Sequence, residues 1–199
     1  QLRRDVKIAI ITGSTREARK SLEIAQWVKE LADARGDATY EVVDTAAFNL
    51  PVWDSPTSPA WGPSDDPAAK AWSEKINEFD GYVFVVAEYN HSLTGSLKNA
   101  LDYLYTELNN KAAGFVGYGS AGGARAIEHL RGILSEQQVA HVRAAAGLSL
   151  FHDFENFSTF APTDGAPGQV LGMLDQLVVW TKAMAAVRAG EFAAQKKAA

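Results

Sequence analysis

Residues 82–87 have the sequence Tyr-Val-Phe-Val-Val-Ala, a nearly continuous apolar run that ends abruptly at Glu88. A strand of a parallel sheet is covered by helices on both faces, so it lacks the alternation of apolar and polar residues seen in a half-exposed strand. This run therefore predicts a central parallel strand. The β-branched run Val6–Ile11, which stops at Thr12-Gly13-Ser14, predicts another strand near the start of the chain.

Helical and extended patterns alternate on both sides of the central run, and the alternation predicts an α/β fold. The predicted strands cover residues 6–11, 39–43, 82–87, 113–118 and a part of 139–150. The predicted helices cover 22–34, 96–110, 124–138 and 168–188. A further helix is predicted in the segment that opens at Asp66-Pro67 and ends by Gly81. Right-handed crossovers then place helices on both faces of a five-stranded parallel sheet. We expect a flavodoxin-like three-layer sandwich with strand order 2-1-3-4-5, formed by residues 1–199 as a single domain.

Composition excludes several classes of function. The formal net charge of -5 over 199 residues gives no electrostatic footprint for nucleic acid. No segment approaches the unbroken apolar length of a membrane helix, so we expect no membrane insertion. The chain has no cysteine, which removes disulfides, thiolate catalysis and iron–sulfur clusters and suits a cytoplasmic protein. Any redox chemistry therefore needs a borrowed cofactor.

Ligands of such a sheet bind beyond the carboxyl ends of the strands, where the strand order reverses. The loops after the first, third and fourth strands should meet there. The first loop, Thr12–Ser21, offers hydroxyls, backbone N–H groups and a helix N-terminus that suit a phosphate, and Arg16 could clamp it bidentately. The loop lacks a dinucleotide-binding or P-loop motif, which favours a terminal monophosphate. An ordinary polar turn is the alternative.

The other two loops suit a flat ring. In the second loop, Tyr89 and His91 could stack on or edge a ring, while Asn90 could meet its polar rim or simply cap the turn. The third loop, Gly119–Gly123, lets the backbone approach closely and precedes a helix whose N-terminus favours negative charge. A flexible turn is the alternative there. The isolated His129, His141 and His152 give little support for a metal site.

Two of these motifs resemble a known family. Glu88–Asp102 (EYNHSLTGSLKNALD) resembles the Pro-Glu-Tyr-Asn-x-Ser-x-Pro-Gly-x-Leu-Lys-Asn-Ala-x-Asp signature of the NADPH-dependent FMN reductase family, which includes quinone, chromate and azo-dye reductases. Gly13–Arg16 is similar to its Gly-Ser-x-Arg phosphate loop. The resemblance runs from about Val6 to Leu150. Ala87 and Thr94 stand where the family usually has proline, and proline at these positions would stiffen the loop.

The resemblance implies a set of FMN contacts. The phosphate would be held by Ser14, Arg16 and Ser21, with Arg19 as a helper. The isoalloxazine would be lined, mostly through the backbone, by Glu88, Tyr89, Asn90 and the neighbouring His91. Its pyrimidine edge would be approached by Ser120 and Gly122. The implied activity passes hydride from NADPH or NADH through FMN to a small acceptor, such as a quinone, an azo or nitro compound, a metal oxyanion or free flavin. No side chain need act as a strong acid or base.

The resemblance also implies a homodimer or homotetramer with the flavin near the interface. The predicted helix from Leu97 to Asn110 is the candidate contact, with Tyr103, Tyr105 and Leu108 as its anchors, although these residues could simply cover the sheet. Two other functions stay open for the same fold. One is an electron carrier of the flavodoxin type without nicotinamide activity, and the other is a flavin-binding regulator.

Overall fold

A computed structural model describes residues 5–193. The strands are β1 (Lys7–Thr12), β2 (Thr39–Asp44), β3 (Gly81–Ala87), β4 (Lys111–Gly119), β5 (Val139–Ser149), β6 (Phe154–Glu155) and β7 (Thr159–Phe160). The helices are α1 (Ser21–Asp33), α2 (Pro67–Asn77), α3 (Gly95–Asp102), α4 (Ala124–Glu136) and α5 (Ala166–Arg188). Short 3-10 turns cover Thr45–Phe48 and Pro59–Trp61.

Within the described residues, β1 to β5 form one parallel sheet with the order β2-β1-β3-β4-β5. This confirms the predicted strand order and the flavodoxin-like fold class. At the carboxyl end of β1, Thr12 lies beside Asp44 on one side and Val85 on the other. The end of β1 therefore sits where the strand order reverses, between the loops that follow β2 and β3.

The central strand β3 is buried on both faces, as its continuous apolar run predicted. Val83 and Val85 join the core between the sheet and helices α1 and α5. Tyr82 and Phe84 join the opposite core, which contains residues of α2, α3 and α4. Successive side chains of a strand point to opposite faces, so one apolar run serves both layers.

The glycines of β4 permit close approach by neighbouring groups. A Cβ atom built on Gly114 would lie 2.5 Å from the Sδ of Met173 on α5. One built on Gly117 would lie 2.7 Å from the carbonyl oxygen of Gly122. Glycine thus leaves room at Gly114 for the Met173 side chain of α5 and at Gly117 for the backbone of the loop that follows β4.

The helix predicted over 96–110 was too long, because α3 ends at Asp102. The side-chain amide of Gln137 donates to the carbonyls of Leu101 and Leu104 at 2.9 and 3.0 Å, which satisfies groups that a longer helix would have used. The buried carboxylate of Glu107 accepts from the backbone N–H of Tyr105 at 2.9 Å. The long-range bonds of Gln137 and the local bond of Glu107 hold residues 103–110 in successive turns instead.

The predicted interface anchors on this segment need correction. Leu108 is fully buried within the chain and Tyr103 is 6% exposed, so neither side chain is available to a second subunit. The Tyr103 hydroxyl donates to the carbonyl of Pro51 at 2.8 Å, which ties the segment between β2 and α2 to the end of α3. Of the three named residues only the half-buried Tyr105 reaches the surface.

The segment between β5 and α5 contains the antiparallel hairpin β6–β7. Asp153, which is buried, organises its base by accepting from the backbone N–H groups of Ser149 and Thr163 at 2.8 and 2.9 Å. The hairpin thus begins immediately beyond the carboxyl end of β5.

Helix α5 corrects the expectation that no segment has the length and composition of a membrane helix. Among the described residues it is the one helix that is long and apolar enough to cross a membrane, and 39% of its most apolar stretch is buried inside the chain. Its buried residues Val170, Met173 and Leu177 pack into the core beneath the sheet. The length and composition of α5 therefore agree with the role of a core helix.

Candidate functional site

The loops after β1 and β3 are joined by hydrogen bonds. The hydroxyls of Thr94 and Ser96 both donate to the carbonyl of Gly13, at 3.0 and 2.7 Å. The hydroxyls of Ser14 and Tyr89 lie 2.9 Å apart. The Arg16 guanidinium lies 5.9 Å from the centre of the Tyr89 ring. The structure therefore brings the predicted phosphate loop and the predicted ring-binding turn into direct contact.

The loop after β4 joins this site through Glu88. The backbone N–H of Glu88 donates to the carbonyl of Tyr118 at 3.2 Å. Its carboxylate, whose side chain is only 4% exposed, forms an ion pair with Arg125 at the start of α4 and accepts from the Arg125 backbone N–H at 3.2 Å. The Glu88 side chain is thus turned toward α4 and its backbone N–H is used by Tyr118, which leaves its backbone carbonyl for a ring.

Ser21 has the residue type of an N-cap but does not occupy that position in α1. Ser21 is the first helical residue, and Lys20 occupies the N-cap position without a side-chain hydrogen bond to the helix. The Ser21 hydroxyl instead donates to the carbonyl of Ser14 at 3.4 Å. The first N–H groups of α1 therefore lack a side-chain cap, and the positive end of the helix is open to an anion.

A tight turn places two arginines beside that helix end. The backbone N–H of Arg19 donates to the carbonyl of Arg16 at 3.4 Å, and Ala18 between them has a φ of +58°. Arg16 is exposed and forms no ion pair within the described residues. Arg19 binds Asp44 through one terminal nitrogen at 2.7 Å, while its Nε is buried without a hydrogen-bond partner. A buried N–H without a partner carries a desolvation cost that an anion could relieve.

The turn from Tyr89 to Ser92 is closed by a reciprocal pair of backbone hydrogen bonds of 2.9 and 3.1 Å. Its two central residues, Asn90 and His91, have φ of +48° and +74°. Positive φ at both central positions is the pattern of a type I′ turn, and asparagine and histidine adopt positive φ more readily than most other non-glycine residues. The His91 ring lies 6.2 Å from that of His129, so the turn presents an exposed imidazole beside α4.

The loop after β4 depends on glycine for its shape. Gly122 and Gly123 have φ of +65° and +75°, and a Cβ on Gly123 would lie 2.7 Å from the backbone of Gly117 and Tyr118. Gly123 is also the N-cap of α4, which has no side-chain cap. Ser120 is exposed at the tip. The loop therefore presents backbone and a helix N-terminus, but the contacts of Ser120 and Gly122 do not reach Ser14 or Arg16 directly.

The sequence analysis missed two residues of the site. Tyr118 is buried, and this burial raises the pKa of its phenol to about 12; the Ser21 hydroxyl, Tyr89, Arg16 and Arg19 are its polar and charged neighbours. An aromatic residue at the carboxyl end of β4 was the available signal. Asp44 at the end of β2 is the other residue, and it binds Arg19.

Two cavities flank the joined loops. One of about 300 Å³ lies between the phosphate loop, the segment after β2 and α3, and it is lined by Thr15, Thr45, Ala46, Asn49, Leu50, Ser96 and Asn99. The other, of about 690 Å³, lies between the start of α3 and α4, and it is lined by Ser92, Leu93, Thr94, Gly95, Lys98, His129, Gly132 and Ile133. Both volumes fall in the range of small-molecule sites.

A sequence profile of the NADPH-dependent FMN reductases matches residues 6–153. The chain belongs to this family. The NAD(P)H-dependent FMN reductase ntnL of Nectria sp. is 40% identical over 130 residues, which cover 62% of this chain and 65% of that protein. The NAD(P)H-dependent FMN reductase LOT6 of Saccharomyces cerevisiae is 37% identical over 142 residues, covering 65% and 73%. A quinone reductase of Escherichia coli K12 is 30% identical over 137 residues, covering 65% and 69%. The matched segment thus covers about two thirds of the length of each of these relatives.

Solved structures confirm the fold of this family member. The flavoenzyme NAD(P)H:(acceptor) oxidoreductase FerB of Paracoccus denitrificans superposes with a TM-score of 0.70 at 20% identity, over 90% of this chain and 98% of that one. The apo form of an NADH:FMN oxidoreductase, EMOB, superposes with a TM-score of 0.67 at 23% identity, over 87% and 89%.

The residues present fit the phosphate of FMN. Among residues 5–193, the buried Nε of Arg19 has no hydrogen-bond partner, α1 begins without a side-chain cap and Arg16 forms no ion pair, so this loop supplies donors and positive charge. The Ser14 hydroxyl can accept from Tyr89 and still donate to a phosphate oxygen, because a hydroxyl is both donor and acceptor.

Proposed function

We propose that this protein is a flavoprotein reductase that binds FMN at the three joined loops and uses NADPH or NADH to reduce a small acceptor. The observation that carries the proposal is the contact between Ser14 and Tyr89, because it joins the phosphate loop to the turn of the family signature. Family membership supports the same conclusion.

The phosphate would lie against the N-terminus of α1. Ser14 and Ser21 would supply hydroxyls. The Ser21 hydroxyl would exchange its long hydrogen bond to the Ser14 carbonyl for one to a phosphate oxygen. Arg16, which forms no ion pair in the described part of the chain, would close over the phosphate from the solvent side. Arg19 would approach through its partnerless Nε. Charge-assisted bonds of this kind are about twice as strong as neutral ones.

The ring would lie across the turn after β3 and the glycine loop after β4. Backbone groups of Glu88, Tyr89 and Asn90 would line it, since the Glu88 carboxylate is engaged by Arg125. His91 would contribute from the exposed side of the turn. Ser120 and Gly122 would meet the pyrimidine edge, where the N-terminus of α4 stabilises negative charge.

When bound, FMN would supply the redox chemistry by accepting hydride from the nicotinamide and passing electrons to the acceptor. The protein would bind and orient the flavin and leave one side of it open to both substrates in turn. Quinones are the acceptor class that the named relatives support most directly, since the relative from Escherichia coli is a quinone reductase. Azo and nitro compounds, metal oxyanions and free flavin are further candidates.

The same family supports reductase activity over the alternatives of an electron carrier or a regulator, because its named relatives are reductases. We further propose a cytoplasmic homodimer or homotetramer. With Leu108 and Tyr103 buried, the exposed positions of α3 and α4 beside Tyr105 and His129 are the remaining candidates for the contact.

The test is spectroscopic and uses the purified protein. We expect a flavin spectrum after incubation with FMN and gel filtration, anaerobic bleaching on addition of NADPH or NADH, and recovery of the spectrum on addition of a benzoquinone. A protein that stays colourless with FMN would contradict flavin binding. A protein that binds FMN but is not bleached by either nicotinamide would favour the electron carrier or the regulator.

A further inference from the structure

Asp44 at the end of β2 is held rigidly by three hydrogen bonds. Its Oδ1 accepts from the Thr12 hydroxyl at 2.8 Å and from the Ala46 backbone N–H at 3.2 Å, and its Oδ2 accepts from a terminal nitrogen of Arg19 at 2.7 Å. Thr12 is also its direct neighbour in the β1–β2 register. Because the first two bonds anchor the carboxylate to the sheet, the third fixes where the Arg19 guanidinium lies.

The Arg19 guanidinium uses one terminal nitrogen for its bond to Asp44. Its side chain is 21% exposed, and its Nε lies buried without a partner, although the terminal nitrogen beside Asp44 is satisfied. Most buried N–H groups in proteins find a partner, so an unsatisfied one calls for an explanation. An anion that occupies the site between Arg19, Ser14 and the start of α1 would provide that partner.

Asp44 could affect an anion in two opposite ways. As a negative charge near the site it would repel a phosphate, so its neutralisation would tighten binding. As the anchor of Arg19 it would hold a donor ready, so its loss would weaken binding because the long arginine side chain would have to be ordered on association. Both carboxylate oxygens are taken up by donors, which favours the second effect.

We propose that Asp44 is a positioning residue that holds Arg19 in the orientation in which its guanidinium binds the FMN phosphate. This inference rests on the proposed function. It goes further by making the Asp44–Arg19 pair a determinant of specificity for FMN over riboflavin, which carries the same ring without the phosphate. The pair acts on the phosphate alone, so the ring-binding loops are unaffected by its loss.

The experiment measures the Kd of FMN and of riboflavin by fluorescence quenching, at one fixed ionic strength. We expect D44N to weaken FMN about tenfold, which corresponds to about 1.4 kcal/mol, and to leave riboflavin unchanged. D44E keeps the charge but displaces the carboxylate by one methylene, and it should also weaken FMN. R19Q should weaken FMN at least as much, and adding D44N to it should have little further effect, because the two residues act as one unit.

The matched control is D37N. Asp37 binds Arg35 at 2.8 Å near the opposite end of β2, so this substitution breaks an arginine–aspartate pair of the same chemistry away from the loops. FMN affinity should not change. Unchanged or tighter FMN binding by D44N, or unchanged binding by D44E should D44N not fold, would overturn the inference while the proposed function stands. A wild-type protein that binds neither FMN nor riboflavin would instead overturn the proposed function.

Discussion

The Tyr89 hydroxyl lies 2.9 Å from the Ser14 hydroxyl, although the two residues are 75 positions apart in the chain. The bond joins the loop after β1 to the loop after β3, and these strands are neighbours in the sheet. Parallel neighbours bring their carboxyl ends to the same edge, so the strand order itself produces this meeting. The candidate site is therefore a consequence of topology before it is a consequence of any single side chain.

The Ser14–Tyr89 bond should contribute to the stability of the flavin-free protein. Y89F and S14A should each lower the free energy of unfolding by about 1 kcal/mol, the usual value for a hydrogen bond of this kind. The double variant should cost little more than either single one, because both remove the same bond. Urea unfolding followed by circular dichroism measures all three. Fully additive losses would mean that the two hydroxyls do not interact in solution.

Arg16 should matter for FMN and not for folding. It forms no ion pair in the described residues, so R16A should leave the melting temperature of the flavin-free protein unchanged. R16A should weaken FMN binding by about 10- to 100-fold, because a bidentate charge-assisted contact is lost. Riboflavin affinity should stay the same. K70A is the control, since Lys70 is an exposed lysine paired with Asp65 away from the loops. Equal FMN affinity of R16A and wild type would remove Arg16 from the phosphate site.

Two glycines of one region should respond oppositely to alanine. A Cβ on Gly123 would lie 2.7 Å from backbone atoms at a φ of +75°, so G123A should destabilise the protein by about 2 kcal/mol or more. Gly132 lies inside α4 with open space around a Cβ, so G132A should stabilise by about 0.5–1 kcal/mol. Thermal unfolding compares the two. A G123A variant as stable as G132A would contradict the described loop conformation.

Lys111 should make stability depend on pH in the alkaline range. It is 5% exposed, and burial, reinforced by the nearby Arg188, lowers the pKa of its ammonium to about 8 in the folded chain. The unfolded chain keeps a pKa near 10.5 and binds more protons between these values, so the free energy of unfolding should rise as pH increases through this window. We expect a gain of about 1–2 kcal/mol from pH 8 to pH 9.5.

The comparison variant for this effect is K111M, which removes the titrating group and should flatten the pH dependence between 8 and 9.5. The upper limit of pH 9.5 lies below the pH range in which the buried Tyr118 loses its proton, because burial raises the pKa of its phenol to about 12. K70M replaces an exposed lysine and should leave the slope as in the wild type. Parallel curves for K111M and the wild type would show that Lys111 titrates normally.

The sequence predicted the sheet well because its signals are local. The apolar run of residues 82–87 contains in itself the information that both faces are covered. The loops after β1 and β3 were found in the same way, since their composition changes abruptly at the strand ends.

What could not be predicted depends on contacts between distant residues. Helix α3 stops early because Gln137 binds the carbonyls of Leu101 and Leu104 from more than 30 positions away, and no local pattern encodes that partner. The pairing of Arg19 with Asp44 is of the same kind. Ser21 has the residue type of an N-cap, but its hydroxyl is drawn to the Ser14 carbonyl.

The most direct test is an amide NMR spectrum of the isotope-labelled protein recorded with and without FMN. The largest shifts should map to residues 13–21, 89–92 and 119–123, while amides at the opposite end of the sheet, around Asn77 and Lys111, should not move. Riboflavin should reproduce the shifts in the last two segments and leave the first nearly unchanged. Shifts that cluster outside these three loops, or no shifts at saturating FMN, would contradict the account.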